Sequence, residues 1–302
     1  GPKIRAYYTL RYLAARHEVT LLSFRRPEDP PTAIAHLDAC CEAVHLVPMR
    51  RSRVSDLRHL LWSLPRRTPF LIARDRVPEM SSAVCRLVQR EPPFEAVHAD
   101  QLWMAPYAQL ASAESARVHD RPLAVVLDQH NAVFQIPLRL AQHESNPVKR
   151  LFLRLESRKL VAYERMACDR ADQVVWVTQE DRRALGARGS DQSGATVIPI
   201  CVAPHPEGRL QRAAGAFRVT FLGGLHWPPN AAGILWFARH VWPLVAEHEP
   251  RARLTVIGKS PPAELLALRA RGQHQNRPSI DVLGYVANPV PLLAESALFV
   301  VP

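Results

Sequence analysis

Short, unbroken apolar runs recur along this chain, each separated from the next by a segment with helical periodicity. A strand buried on both faces needs such a run, and the intervening helix covers it. The alternation therefore restricts the chain to parallel sheet with helices on both faces. Lys3–Arg16 reads as a helix, with Ile4, Tyr7, Tyr8, Leu10 and Leu13 near one side, and Glu18–Phe24 follows as a buried strand. Ala33–Glu42 is predicted helical and Ala43–Pro48 a strand; a helix near Glu79–Arg90 then precedes a strand at Ala96–Ala99. Ala105–Ala116 reads as helix and Leu123–Leu127 as strand. Asn146-Pro147 is an N-cap followed by proline at the first helical position, and it opens a helix running to about Arg170. Val148, Leu151, Phe152, Leu155, Ala162 and Met166 give that helix a stripe expected to face the core. Gln173–Val177, Glu180–Ala187 and Thr196–Pro199 continue as strand, helix and strand.

Ala203–Gly215 has two prolines and two glycines and little periodicity, the mark of an inter-domain linker. The alternation then restarts with strand Arg218–Leu222 and helix Asn230–Glu247, followed by strand Arg253–Ile257 and helix Pro262–Ala270. Strand Ile280–Leu283, helix Val290–Glu295 and strand Leu298–Val301 close the sequence. Two α/β domains are expected, 1–205 and 206–302. The sequence opens on a helix and stops beside its last strand, so the second domain is expected to be incomplete.

The 302 residues carry a formal charge of +11, and of 39 basic residues only Lys3, Lys149, Lys159 and Lys259 are lysine. Ten arginines but only three acids (Asp56, Asp75, Glu79) fall between Arg50 and Arg90. A nucleic-acid protein of this size spreads its basic residues and interleaves stacking aromatics, so nucleic acid is not the expected partner. Within the patch, Leu57, Leu60, Leu61, Trp62 and Leu64 lie among Arg50, Arg51, Arg53, Arg58, Arg66 and Arg67. Such a helix can lie on anionic lipid or pack on its own domain, and the residues alone favour packing. Cys40, Cys41, Cys85, Cys168 and Cys201 show no CxxC spacing and read as reduced thiols, with no metal site expected. No signal-peptide pattern or membrane-length apolar run is present.

Parallel sheets present ligands at the carboxyl ends of their strands, which singles out four places. Gly223-Gly224 and Asn230, a candidate cap, can cradle a phosphate; the glycine pair serves equally as a tight turn, and spacing alone favours the turn. Lys259 is either a point charge for a diphosphate or a solvated loop residue. Asp128-Gln129-His130-Asn131 and His98-Ala99-Asp100-Gln101 are two polar clusters at equivalent strand ends, suited to general acid–base work or sugar-hydroxyl contacts.

VLDQHNAVFQ (Val126–Gln135), the segment Asn146–Arg182, VIPICV (Val197–Val202) and FLGGLHWPPNAAGILWFARHVWPLV (Phe221–Val245) together resemble bacterial family 4 glycosyltransferases of exopolysaccharide gene clusters. IGKSPP, VLGYVAN and ALFVVP follow in the family's order. The resemblance implies the GT-B fold: two Rossmann-like parallel-sheet domains facing a cleft, the first for the acceptor and the second for a nucleotide-sugar. It implies transfer with retention of configuration, on a lipid-linked or polysaccharide acceptor, without metal or other cofactor. His130 matches the family's catalytic DxHN block. Donor contacts are implied for Gly223, Gly224, Asn230, Lys259 and Val286, and acceptor contacts for Asp100, Gln101, Asn131 and Arg5. A cytoplasmic protein peripheral to the inner membrane face is expected, with Arg50–Arg90 against anionic lipid. Two departures stand out. The loop GGLHWPPN lacks the Arg and Lys of many relatives, and Ile200-Cys201 replaces the usual Asn-Gly. The family's initial glycine-rich turn survives at most as Gly1-Pro2-Lys3-Ile4-Arg5, and its Glu-x7-Glu segment is expected beyond Pro302. This piece is therefore expected to transfer sugar poorly or not at all by itself, and its parent to be active. A GT-B-like protein without transferase activity, an epimerase relative or a scaffold, is the alternative.

Overall fold

The structure, a computed structural model, describes residues 2–27, 29–49, 51–90, 92–189, 194–202, 213, 215–274 and 280–302. The chain divides into two compact units, Gly1–Val202 and Ala203–Pro302. The predicted linker and the 205/206 boundary fall largely outside the described residues, as does Arg50.

The first unit begins with α1 (Pro2–Ala14), β1 (Thr20–Arg25), α2 (Pro31–Asp38) and β2 (Ala43–Pro48). Then come α3 (Arg53–Ser63), α4 (Phe70–Arg74), α5 (Pro78–Val88), β3 (Ala96–Asp100) and α6 (Ala105–His119). β4 (Ala124–Gln129), α7 (Gln135–His143), α8 (Pro147–Asp169), β5 (Gln173–Trp176), α9 (Gln179–Gly186) and β6 (Ala195–Val197) complete it. Every strand pair is parallel, as continuous apolar strands require. The strands form two sheets rather than one: β1-β2, and β3-β4-β5-β6. A shared core holds the two sheets together, with Val47 of β2 packed among Met80 and Val84 of α5, Tyr107 and Ala111 of α6, and Leu123 just before β4.

α8 starts where Asn146-Pro147 predicts, with the Asn146 side chain accepting from the amides of Val148 and Lys149. Its buried side differs from the predicted stripe. Glu156, Ser157, Leu160, Tyr163, Glu164, Ala167 and Cys168 face inward, whereas Val148, Leu151 and Leu155 are exposed. α7 was not anticipated, being short and carrying Pro137 in its first turn. No disulfide joins the five cysteines.

The second unit contains β7 (Arg218–Leu222), α10 (Pro228–Trp236), α11 (Trp242–His248), β8 (Arg253–Ile257), α12 (Ala263–His274), β9 (Ile280–Gly284), α13 (Val290–Ala294) and β10 (Ser296–Phe299). Its sheet is parallel in the order β10-β7-β8-β9. The single helix predicted at Asn230–Glu247 is interrupted by a π-helical turn at Phe237–Val241. Pro243 explains this, since it has no amide to give and its ring crowds the carbonyl four residues back, which forces a wider turn.

β7, β8 and β9 run into Gly223, Gly258 and Gly284. The Gly223 amide donates to Ile257 (3.0 Å) and the Gly258 amide to Gly284 (2.8 Å), so the three strand ends stay in close register. A Cβ on Gly258 would collide with the Gly223 carbonyl oxygen, whereas a Cβ on Gly224 meets only the His226 ring, which can swing aside. Gly258→Ala is expected to destabilise the second unit by about 1–3 kcal/mol, the range for overpacking a closed site. Gly224→Ala should leave the denaturation midpoint nearly unchanged. Equal midpoints for the two variants would refute this account.

Candidate active site

β3 and β4 pair in register, so Asp100 lies opposite Asp128 and both side chains emerge on one face at the carboxyl ends of their strands. On that face α1 brings Arg5 to Asp128. Arg5 Nε stands 2.9 and 3.0 Å from the two carboxylate oxygens and Nη2 stands 2.8 Å from Oδ1. Its Nη1 donates to the Ile198 carbonyl just beyond β6. Arg5 and Asp128 are 4% and 1% exposed, so the pair is closed to water. The acceptor contact expected of Arg5 is thereby corrected: its fork is spent inside the fold, and it positions Asp128 instead.

His130 follows β4 directly. Its Nε2 lies 2.8 Å from Asp100 Oδ1 and 3.9 Å from Asp128 Oδ2. The close approach to Asp100 is an ion-pair distance without hydrogen-bond alignment. Both ring nitrogens of His130, and Asp100 Oδ1, are buried with no hydrogen bond among the described residues. Native proteins leave few buried polar atoms in that condition, and a water, an ion or a bound group is the usual completion at a strand end. His98, two residues before Asp100, lies 3.9 Å from Asp128 Oδ2. Burial lowers its pKa, and Asp128 and Asp100 oppose that only in part.

Gln101 sits at φ 77° and ψ 159°, a region that side chains rarely adopt. Its amide donates to the Asp128 carbonyl at 3.0 Å, which ties this strained residue to the end of β4. Asn131 is exposed beside His130. Asp100, Gln101, His130 and Asn131 thus come together at two adjacent strand ends. One ligand atom each from Asp100, Asp128 and His130 falls within 4.8 Å of the others, close enough to surround a cation. Arg5 already neutralises Asp128 there, which weakens the attraction for a cation.

On the opposite face of β4, sequence reading missed Glu164. This α8 carboxylate accepts from the amides of Val133 (2.7 Å) and Phe134 (2.9 Å) and from Gln129 Nε2 (3.0 Å). Ser157 Oγ donates to the Phe134 carbonyl at 2.9 Å. The segment after His130 is therefore clamped from α8. The available signal was the face of α8 that carries Ser157, Leu160, Glu164 and Ala167, on which two polar residues share an otherwise apolar side.

In the second unit Gly223, Gly224, Lys259 and Val286 sit beyond three adjacent strands, β7, β8 and β9. Lys259 is exposed, and its carbonyl accepts from the Leu225 amide at 3.1 Å. Ser260 beside it has φ 62°. Neither Gly223 nor Gly224 has a positive φ, so a tight turn does not require them. Asn230 is corrected: Trp227 occupies the cap of α10, and Asn230, third in the helix, donates its side-chain amide to the Gly224 carbonyl at 3.1 Å. Pro228 and Pro229 also remove two amides from that helix end.

Residues 216–302 match the family model described as glycosyl transferases group 1. No curated protein matches the chain's sequence. Among solved structures, Anabaena HepE in complex with UDP-glucose is similar over 93% of this chain and 72% of its own (14% identity, TM-score 0.55). Sucrose-phosphate synthase from Thermosynechococcus elongatus is similar over 98% and 69% (15% identity, TM-score 0.58). A UDP-forming trehalose-phosphate synthase from Burkholderia vietnamiensis is similar over 93% and 76% (12% identity, TM-score 0.50). The fold is of the GT-B class, two Rossmann-like units of parallel sheet. Its second unit matches a glycosyltransferase family.

Burial pushes the Glu164 pKa up to about 7 from 4.5, despite three donors that favour the charged form. The folded protein thus holds this proton more tightly than the unfolded chain does. The group's contribution to stability is complete below pH 4.5 and declines by up to about 3 kcal/mol as the pH rises to about 7. Glu164→Gln is expected to lose that decline and, at neutral pH, to cost about 1–3 kcal/mol for the unmatched Val133 or Phe134 amide. Urea unfolding between pH 4.5 and 8 checks both, and an unchanged slope would assign the titration to another group.

Proposed function

We propose that the protein moves a sugar from a nucleotide-sugar to a hydroxyl acceptor with retention of configuration, as a bacterial family 4 type hexosyltransferase. The reading rests most on His130 and Asp100, which meet at an ion-pair distance of 2.8 Å at two adjacent strand ends while their buried polar atoms make no aligned hydrogen bond. The glycosyl transferases group 1 match of residues 216–302 supports a donor-binding second unit. HepE in complex with UDP-glucose and the UDP-forming synthase make uridine diphosphate sugars the first donors to try.

In this reaction the acceptor oxygen forms a bond to the anomeric carbon as the bond from that carbon to the diphosphate oxygen breaks. The acceptor proton passes to the departing phosphate, so no separate base is needed. Negative charge grows on the diphosphate, and Lys259 and the amides at the glycine-lined strand ends are suited to meet it. In this assignment His130, with Asp100 against Nε2, contacts the transferred sugar, while Asp100, Gln101 and Asn131 contact the acceptor. A lipid-linked or polysaccharide acceptor and a site of action at the inner membrane face complete the proposal. Among the described residues no helix is long and apolar enough to cross a membrane.

One observation favours the alternative of a GT-B protein without transfer activity. At α10, two prolines and a committed Asn230 replace the usual anion-binding end of a helix. Saturation-transfer NMR against a panel of UDP- and GDP-sugars separates the two readings. Binding of at least one donor is expected, and binding of none overturns the proposal. His130→Ala should leave binding of the bare nucleoside diphosphate intact and reduce sugar transfer by roughly 100-fold or more, as loss of one donor to the transition state does. Undiminished transfer would remove His130 from the site.

A further inference from the structure

Helix α3 is built inside out. The residues it turns toward the protein are polar or half-buried, with Ser63 closed off and Ser55, Asp56 and His59 partly covered. Val54, Leu57, Leu61 and the C-cap Leu64 follow one another at spacings of three, four and three, and all are exposed, Val54 to 80%. A soluble helix buries such a stripe. Trp62 is also exposed, with the Arg66 guanidinium 4.3 Å over its ring. Arg53, Arg58, Arg66 and Arg67 flank the stripe on exposed positions.

The surface continues onto a second helix. Lys159 of α8 donates from Nζ to the carbonyls of Ser63 (2.7 Å) and Leu64 (3.2 Å), fixing α8 at the end of α3. Val148, Leu151 and Leu155 lie along the same line of α8 as Lys159 and are all exposed, Val148 to 75%. Lys149, Arg150, Arg154 and Arg158 stand beside them. The only acids in residues 51–67 and 147–159 are Asp56, half-buried, and Glu156, buried where it accepts from the Leu71 amide. The result is a two-helix surface with apolar ridges, rimmed by cations and with no fully exposed carboxylate.

We propose that α3 and the first half of α8 together form a docking surface for an anionic lipid bilayer, the apolar stripes entering the interface and the arginines meeting lipid phosphates. Charge decides the occupant. A second copy would bring the same cations face to face, and a nucleic acid would find branched aliphatic ridges where it needs stacking platforms. This surface deepens the membrane-face part of the proposed function and rests on that reading for its role, while vesicle binding and sugar transfer are measured separately, so that either can fail alone.

The test is sedimentation of the 302-residue chain with sucrose-loaded vesicles of phosphatidylcholine alone or with about 30% phosphatidylglycerol. Binding to the anionic vesicles is expected to exceed binding to the neutral ones by roughly tenfold or more. Leu57→Asp with Leu61→Asp, and separately Arg53→Glu with Arg58→Glu, should each lower it by roughly tenfold. A matching pair on the other helix, Leu151→Asp with Leu155→Asp, should do the same. All these side chains are exposed, so the fold is retained and circular dichroism should be unchanged. Failure of the parent chain to bind anionic vesicles, or binding unaffected by the α3 or the α8 pair, overturns the proposal. So does a concentration-dependent dimer that the leucine substitutions abolish, or duplex DNA binding in place of vesicle binding.

Discussion

The Arg5–Asp128 ion pair is the contact on which the candidate site in the first unit depends. It joins the first helix to the end of β4, and through the Ile198 carbonyl it also holds the segment beyond β6. Both charges are out of water, and each is tolerable only because the other is present; removing one partner of such a pair typically costs about 3–5 kcal/mol. Asp128 is thereby fixed and neutralised. The carboxylate left to act on His130 is Asp100, which is partly open to solvent where Asp128 is not. Two carboxylates at paired positions thus have different tasks, and burial and partner assign them.

The other face of the same strand end is held by different chemistry. Neighbouring residues of a strand point to opposite sides, so Asp128 meets α1 while Gln129 meets Glu164 of α8. Glu164 and Ser157 also take hold of Val133 and Phe134, which lie just past His130. The imidazole is therefore carried between two anchored points, residues 128–129 before it and 133–134 after it. Strain at Gln101 is supported in the same way, by its hydrogen bond to the Asp128 carbonyl. His130 Nε2 and Asp100 Oδ1 already face each other at 2.8 Å, and the stiff support on either side keeps the imidazole at that place.

The strands were legible because a short apolar run between helical segments is a mark that little else imitates. Burial behind it differs: β7 and β8 are buried over most of their length, whereas in β2 only Val47 is. Ala43–Pro48, Arg218–Leu222 and Arg253–Ile257 lie where the apolar runs place them, and Asn146-Pro147 marks the start of α8. Helix faces were less legible. Periodicity finds an apolar stripe but does not say whether protein or another medium covers it, so Val148, Leu151 and Leu155 read as core while lying at the surface. The interleaved Lys149, Arg150, Arg154 and Arg158 were the unused clue. Gly258 was missed for a different reason. Its need for a bare Cα comes from the approach of Gly223 on the neighbouring strand, a contact 35 positions away that no local pattern encodes. Arg5 and Glu164 were hidden in the same way, since their partners lie at sequence separations of 123 and about 30.

Those long-range facts change how the second unit would hold an anion. Reading the sequence, one gives the work to the start of α10, with its dipole and a capping Asn230. In the fold, Pro228 and Pro229 supply no amides, and Asn230 is occupied by the Gly224 carbonyl. What remains is a row of three glycine-ended strands, with Lys259 exposed at the central one. The amides of Gly224 and Lys259 have no backbone acceptor among the described residues. Gly223, Gly258 and Gly284 put no side chain between a ligand and this backbone. Charge compensation would then come from a mobile point charge and strand-end amides more than from a helix end. A lysine follows a moving charge where a fixed dipole cannot, and under the proposed function a diphosphate leaving the donor would present that demand.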